Sequence, residues 1–316
     1  MIMRLEREPA SFRDPSGHVY QAQGRIFRTV TEYHREDYEF VRDSGALAEP
    51  IRRGWLIDAE ELPPGALAAT PSKAVYVLDH SRLPVISYPY EWCFGMLRDA
   101  ALLHLDLQRY LLDCGLSLSD AGAYNIQCAD LYRLPLLPQI SQRRILAGTS
   151  PILRAVSEPL LLDACLGIPF NSWLRGSLTG ITTLDLDRAL PFYKKWSWRV
   201  LSHVTLPARL QRGALEGNKP GFRGHGSTKL PLAGYRGLLT QLRDWIAGLR
   251  PKVAALSTWG DYRETGPYSE TEEATKRRFV ADFVAQVCPG LLPDGVQYRR
   301  VRRGRIGRRR RVRRRM

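Results

Sequence analysis

The stretch WCFGMLRDAALLHLDLQRYLL, residues 92–112, decides how the rest of the chain is read. Leu97, Ala101, Leu105 and Leu112 recur at helical spacing while Arg98, Asp99 and Asp106 fall on other faces, which predicts a long helix with one side in a core. Ahead of it, AVYVLDH near 74–80 and PVISY near 84–88 are rich in β-branched and aromatic residues and predict buried strands. The opening GHVYQAQGRIFRTV has short apolar stretches broken by glycine and polar residues, which suits a small β unit. EDYEFVRDSGALAEPIRRGWLI, between these, predicts a helix followed by a turn. Beyond the long helix, LLLDACLGIPFNSWLRGSL, GYRGLLTQLRDWIAGLR and ETEEATKRRFVADFVAQV carry further helical patterns. The last of them opens on acids, in agreement with the helix dipole. The expected fold class is α+β, with a mixed small domain over residues 1–127 and a mainly helical segment over 159–291.

Two blocks break this texture. ADLYRLPLLPQISQRRILAGTSPILRAVSEP follows neither the helical nor the strand period for long, and residues 128–158 are expected to be irregular. Residues 292–316 end in twelve arginines between Arg299 and Arg315, with no lysine and no acid. Those arginines account for most of the net charge of +15, so the body of the chain is nearly neutral. A hydrophobic content of 44% over 316 residues is enough for a buried core. Cys93, Cys114, Cys128, Cys165 and Cys288 are scattered, without the spacing of a disulfide framework or a zinc knuckle, and a reducing cytoplasm is the expected setting. No apolar run reaches the roughly 18 residues of a membrane span, and the N-terminus lacks a signal-peptide pattern.

Asp120 and Asn125, in SDAGAYN, are the candidate catalytic residues. Their interval is that of a protein-kinase catalytic loop, in which the acid orients the acceptor hydroxyl and the amide holds a metal. The bland alternative is a turn capped by both side chains. His104 lies among leucines and reads as a packing or surface residue, and Asp79 beside His80 as a strand-end pair that could exchange protons. GFRGHGSTK at 221–229 lacks the glycine–lysine order of a phosphate loop and reads as a flexible loop. Tyr88, Tyr90 and Trp92 could form a binding platform, or a hinge packed into a core.

ISYPYEWCFGMLRDAALLHLDL, LSLSDAGAYNIQ, GIPFNSWLRGSLTGI and WGDYRETGPYSETEEATKRRFVADFVAQVCPGL resemble the N-terminal and middle regions of the NoeA-type nodulation proteins. These words cover most of residues 15–127 and 160–291. The resemblance implies a predicted class I S-adenosylmethionine-dependent methyltransferase, whose Rossmann-like domain should open with a strand and a turn of the type D-x-G-x-N-x-G. In nucleotide-binding folds of this kind the glycines let the backbone approach the ligand and a later acid binds the ribose. Here the chain reads LLPDGVQYRRVRRG instead, and the turn is absent. A one-base displacement accounts for it. If Val296–Arg303 is spelled GTG CAA TAC CGG CGA GTA CGC CGA, the neighbouring frame encodes CNTGEYA, and GCNTGEYA with Gly295 as GGG. Leu131–Pro138 in the same displaced frame yields FIDSLSF. Residues 128–158 and 292–316 are therefore expected to be out of frame.

On this reading the chain is a truncated portion of a methyltransferase. It is expected to bind no cofactor and to be inactive by itself, its intact relatives using S-adenosylmethionine on an acceptor that the sequence does not name. Two alternatives belong to other classes. One is a kinase-like or pseudokinase module that binds nucleotide through Asp120 and Asn125. The other is a nucleic-acid-binding protein, since an arginine-rich tail pairs with phosphates whatever its origin. No membrane partner is expected.

Overall fold

Gln23 and Gly24 both take left-handed backbone conformations, with φ of 48° and 78°, and this two-residue turn folds one strand back on the next. In the computed structural model the turn joins β2 (Val19–Ala22) to β3 (Arg25–Thr31). With β1 (Glu6–Arg7), β4 (Ala59–Glu61) and β5 (Ala74–His80) these form a five-stranded sheet of order β1-β2-β3-β5-β4, antiparallel throughout. The structure describes residues 5–63, 74–83, 85–118, 122–127, 140–141, 156–177, 180–215, 231–252 and 269–287. The chain divides into two units, Met1–Ala254 and Ala255–Met316.

Side chains alternate across the sheet, as the pleat requires. Ala22, Phe27 and Val77 turn to one face, where Tyr20 and Leu62 join them in a small apolar cluster. Val19, Ile26, Arg28, Val30, Leu78 and His80 turn to the other. Gly17 lies where the chain enters β2, and a Cβ placed on it would stand 1.8 Å from the Thr29 carbonyl oxygen. Hydrogen bonds on either side hold that approach: the His18 N–H donates to Thr29 Oγ1 at 2.9 Å and the Thr31 N–H to the Ser16 carbonyl at 2.9 Å.

Two helices, α1 (Arg35–Asp43) and α2 (Ala48–Arg52), connect β3 to β4. The predicted helix is α1 and the turn after it is made by Ser44 and Gly45, the Ser44 Oγ donating to the Val41 carbonyl at 2.7 Å, while α2 is a short helix that the pattern did not announce. The long helix of the opening stretch is α3 (Phe94–Asp113). Leu97, Ala101, Leu105 and Leu111 on it are fully buried, each of the three leucines contributing about 2 kcal/mol on removal from water. Around it lie α4 (Glu158–Leu166), α5 (Asn171–Gly176), α6 (Thr183–Ala189), α7 (Phe192–Lys195), α8 (Trp198–Val200), α9 (Leu206–Leu215) and α10 (Leu232–Ala247). A single apolar core runs through this unit from Val41 to Leu249. Arg243 on α10 clasps Asp106 on α3 with two hydrogen bonds, 2.7 and 3.1 Å long. The second unit contributes α11 (Glu270–Val287), where the acid-rich helical pattern predicted it.

The α+β class is thus as the sequence indicates, and AVYVLDH is a strand. PVISY is not. Residues 85–88 are irregular, with Val85 and Ile86 63% and 53% exposed. The backbone there is tied to side chains instead of a ladder, because the Ser87 N–H donates to Gln127 Oε1 at 3.0 Å. The helix expected to resume near residue 160 starts at Glu158, and Val156 and Ser157 just before it are already buried.

Candidate functional site

Three segments remote in sequence are joined by amide side chains. Gln127, buried, receives the Ser87 N–H and donates from Nε2 to the Tyr124 carbonyl at 3.3 Å, which fastens the Gly122–Gln127 loop to the Ser87–Trp92 segment. Asn171 at the start of α5 donates to the carbonyls of Tyr90 and Trp92, at 2.9 and 3.0 Å. The Tyr124 hydroxyl closes the triangle by donating to the Leu174 carbonyl at 2.7 Å. Asn125 ends the short turn of this loop, its N–H donating to the Gly122 carbonyl at 3.1 Å. Asp120, its predicted companion, lies outside the described residues, as do 221–229, 292–316 and most of 128–158.

A third amide side chain acts from α3. Gln108, buried, donates to Ser117 Oγ at 3.0 Å and accepts the Leu118 N–H at 3.0 Å. It thereby fixes β6 (Ser117–Leu118), which pairs with β7 (Ile140–Ser141) just ahead of the Asp120–Asn125 interval.

The aromatic segment is divided between the two roles set out for it. Trp92 is buried and its indole N–H donates to Ser87 Oγ at 3.0 Å, so it is a core residue. Tyr88 and Tyr90 stack with centroids 5.4 Å apart and planes 4° from parallel, and the Arg175 guanidinium stands 5.5 Å from the Tyr90 ring. Asp79 and His80 do not form a proton-exchanging pair. They point to opposite faces of β5, and Asp79 is bound to Arg25. His104 is wholly buried among the leucines of α3, and burial drives its pKa down to about 3, so it is neutral packing.

On the open face of the sheet a cavity of about 800 Å³ separates the strands from α1 and α2. Val30 and Leu78 face Val41, Leu47, Ile51 and Leu56 across it. The space is open to solvent on one side and too large to be closed off by the side chains that line it. The cavity is therefore a place that water or a ligand fills. Among the described residues its polar lining is basic and neutral, without a carboxylate: His34, Arg28, Arg42, His80 and Arg82 are set among the apolar residues. Arg28 pairs with Asp14 at 2.7 Å and Arg42 with Asp43 and Glu61 at 2.8 and 3.2 Å. Both ring nitrogens of His80 are buried without a hydrogen-bond partner, and burial, reinforced by Arg28, pushes its pKa below the ordinary value. Tyr38, also lining the cavity, has its phenol pushed up by burial and by its hydrogen bond to Glu61.

Sequence reasoning passed over the cavity, and over Phe192, Tyr193, Trp196 and Trp198, each at least 70% exposed. The signal for the aromatic cluster was present in FYKKWSW, where rings alternate with lysines and a serine. Among the described residues no group of three or more His, Cys, Asp or Glu could hold a metal ion. Among them, too, no helix is long and apolar enough to cross a membrane.

No protein-family model matches the chain. It is 34% identical over 296 residues to the nodulation protein NoeA of Rhizobium meliloti (strain 1021), a match covering 92% of this chain. The chain spans 62% of that relative's length. Identity of this degree over nearly all of this chain supports its kinship with the NoeA-type nodulation protein family.

Proposed function

We propose that these residues form an accessory portion of a NoeA-type S-adenosylmethionine-dependent methyltransferase and transfer no methyl group by themselves. The observation that carries this is the coverage: nearly all of this chain aligns, while more than a third of the relative lies beyond the match. The sequence between Leu291 and Gly304 supports it, because LLPDGVQYRRVRRG replaces the strand and glycine turn of a nucleotide-binding fold. Methyl transfer needs the donor carbon held in line with its acceptor, and a portion that does not hold the donor cannot supply that proximity. Residues 128–158 and 292–316 are read as out-of-frame blocks, and sequencing the gene around codons 128, 159 and 293 tests that directly.

Equilibrium dialysis of the whole chain with labelled S-adenosylmethionine should show no saturable binding up to about 1 mM, the concentration matching a binding energy of about 4 kcal/mol. Saturable binding in the micromolar range would overturn the proposal.

A second reading, a kinase-like nucleotide-binding module, draws on one observation. The Ser87–Trp92 segment that follows the sheet is fastened through Gln127 to the loop bearing Asn125, an arrangement suited to a nucleotide held between them. If it is right, ATP with magnesium raises the melting temperature and Asp120→Ala removes the rise. An unchanged melting temperature at millimolar ATP rejects it.

A further inference from the structure

The cavity between the sheet and α1–α2 is lined on one side by Val30 and Leu78 and on the other by Val41, Leu47, Ile51 and Leu56. At about 800 Å³ it falls within the size range of small-molecule pockets, roughly 300–1,000 Å³. Its polar groups are not distributed evenly. His80 and Arg82 follow one another at the end of β5, and Arg28 on the neighbouring strand is diagonal to His80, since Ile26 is the residue paired with it. Arg82 is exposed, and among the described residues its hydrogen bonding is limited to the Gly24 carbonyl at 3.5 Å. The Arg28 guanidinium spends Nη2 on Asp14 and has N–H groups to spare. The His80 ring adds a buried donor and acceptor that the protein leaves unsatisfied.

The geometry points to this cavity as a binding site for an amphiphilic anion: an apolar body against the aliphatic walls and one acidic head group against His80 and Arg82, with Arg28 behind them. The lining explains the sign of the charge. Among the described residues no carboxylate lines the cavity, so the head of a cationic amphiphile would meet Arg82 with no acid in the lining to accept it, whereas a carboxylate or phosphate would accept from the N–H groups that Arg82 and Arg28 leave free. Arg42 is bound up with Asp43 and Glu61 and contributes shape more than charge. His34 lies 3.6 Å from Asp37 and is likewise committed. The proposal is independent of the methyltransferase reading and stands or falls on ligand binding alone.

Isothermal titration of the full chain with decanoate, decanol and decyltrimethylammonium tests it. Decanoate should bind with one-to-one stoichiometry, at least tenfold more tightly than decanol, and the ammonium should not bind. Arg82→Met removes an exposed charge without disturbing the core, and should weaken decanoate about tenfold while leaving decanol unchanged. Ala48→Phe fills the cavity from α2 and should abolish binding of both, with circular dichroism confirming that the variant folds. Equal affinity for decanoate and decanol overturns the proposal, and so does an unaltered decanoate affinity in Arg82→Met or in folded Ala48→Phe. If Ala48→Phe does not fold, the Arg82→Met comparison decides.

Discussion

Gly17→Ala is expected to lower the stability of the Met1–Ala254 unit by about 3 kcal/mol or more, the upper end of overpacking costs. A methyl group at this position would fall 1.8 Å from the Thr29 carbonyl oxygen, well inside any real contact. The strand cannot simply move aside. The Thr29 N–H donates to the His18 carbonyl at 2.9 Å and the His18 N–H to Thr29 Oγ1, so separating the two backbones gives up those bonds as well. Urea denaturation followed by far-ultraviolet circular dichroism checks this. A midpoint within the error of the wild type would show that the approach of Gly17 to Thr29 is looser than the structure has it.

Lowering the pH from 7.5 to 4.5 is expected to cost the chain about 2–3 kcal/mol through His104 alone. The folded imidazole takes its proton only near pH 3, because burial among leucines disfavours the cation, while the unfolded side chain takes it near the ordinary value of 6.5. Between those limits the unfolded chain binds the extra proton. Stability from this residue is complete above about pH 6.5 and drains away as the pH falls toward 3. His104→Leu keeps an apolar side chain of similar reach and removes two unpartnered nitrogens, so it should flatten most of that dependence. His80 and His203 are shifted in the same direction by burial and will leave a residual slope. Denaturant midpoints at several pH values decide it, and parallel profiles for wild type and variant would mean that His104 is not the group responsible.

What the sequence disclosed follows from the range of the forces involved. The α3 helix was legible because its periodicity is local: Leu97, Ala101 and Leu105 announce a buried stripe wherever the helix is placed. The hairpin at Gln23–Gly24 belonged to a β unit visible as such, since VYQA and RIFRTV alternate around a turn-forming pair. PVISY misled because β-propensity measures the fit to a pleated surface, and among the described residues no neighbouring strand supplies one. His104 could be placed among leucines, yet its neutrality depends on how completely they enclose it. The amide fasteners at Gln127 and Asn171 were hidden for a different reason. A lone amide has no pattern of its own, and the partners that make these two into fasteners lie 40 to 81 residues away. The cavity was hidden more deeply still, being a space whose walls come from four strands and two helices.

Gln108 carries one more implication. Strands ordinarily take their alignment from other strands, but here a helix side chain grips both Ser117 and Leu118 and so sets the point from which the following residues depart. The address of that stretch is written into α3, while its content is not. Ala123, Tyr124 and Ile126 then anchor the loop by burial and by the bond to Leu174, so exchanges that spare those three can alter what the loop presents without rebuilding the scaffold beneath it.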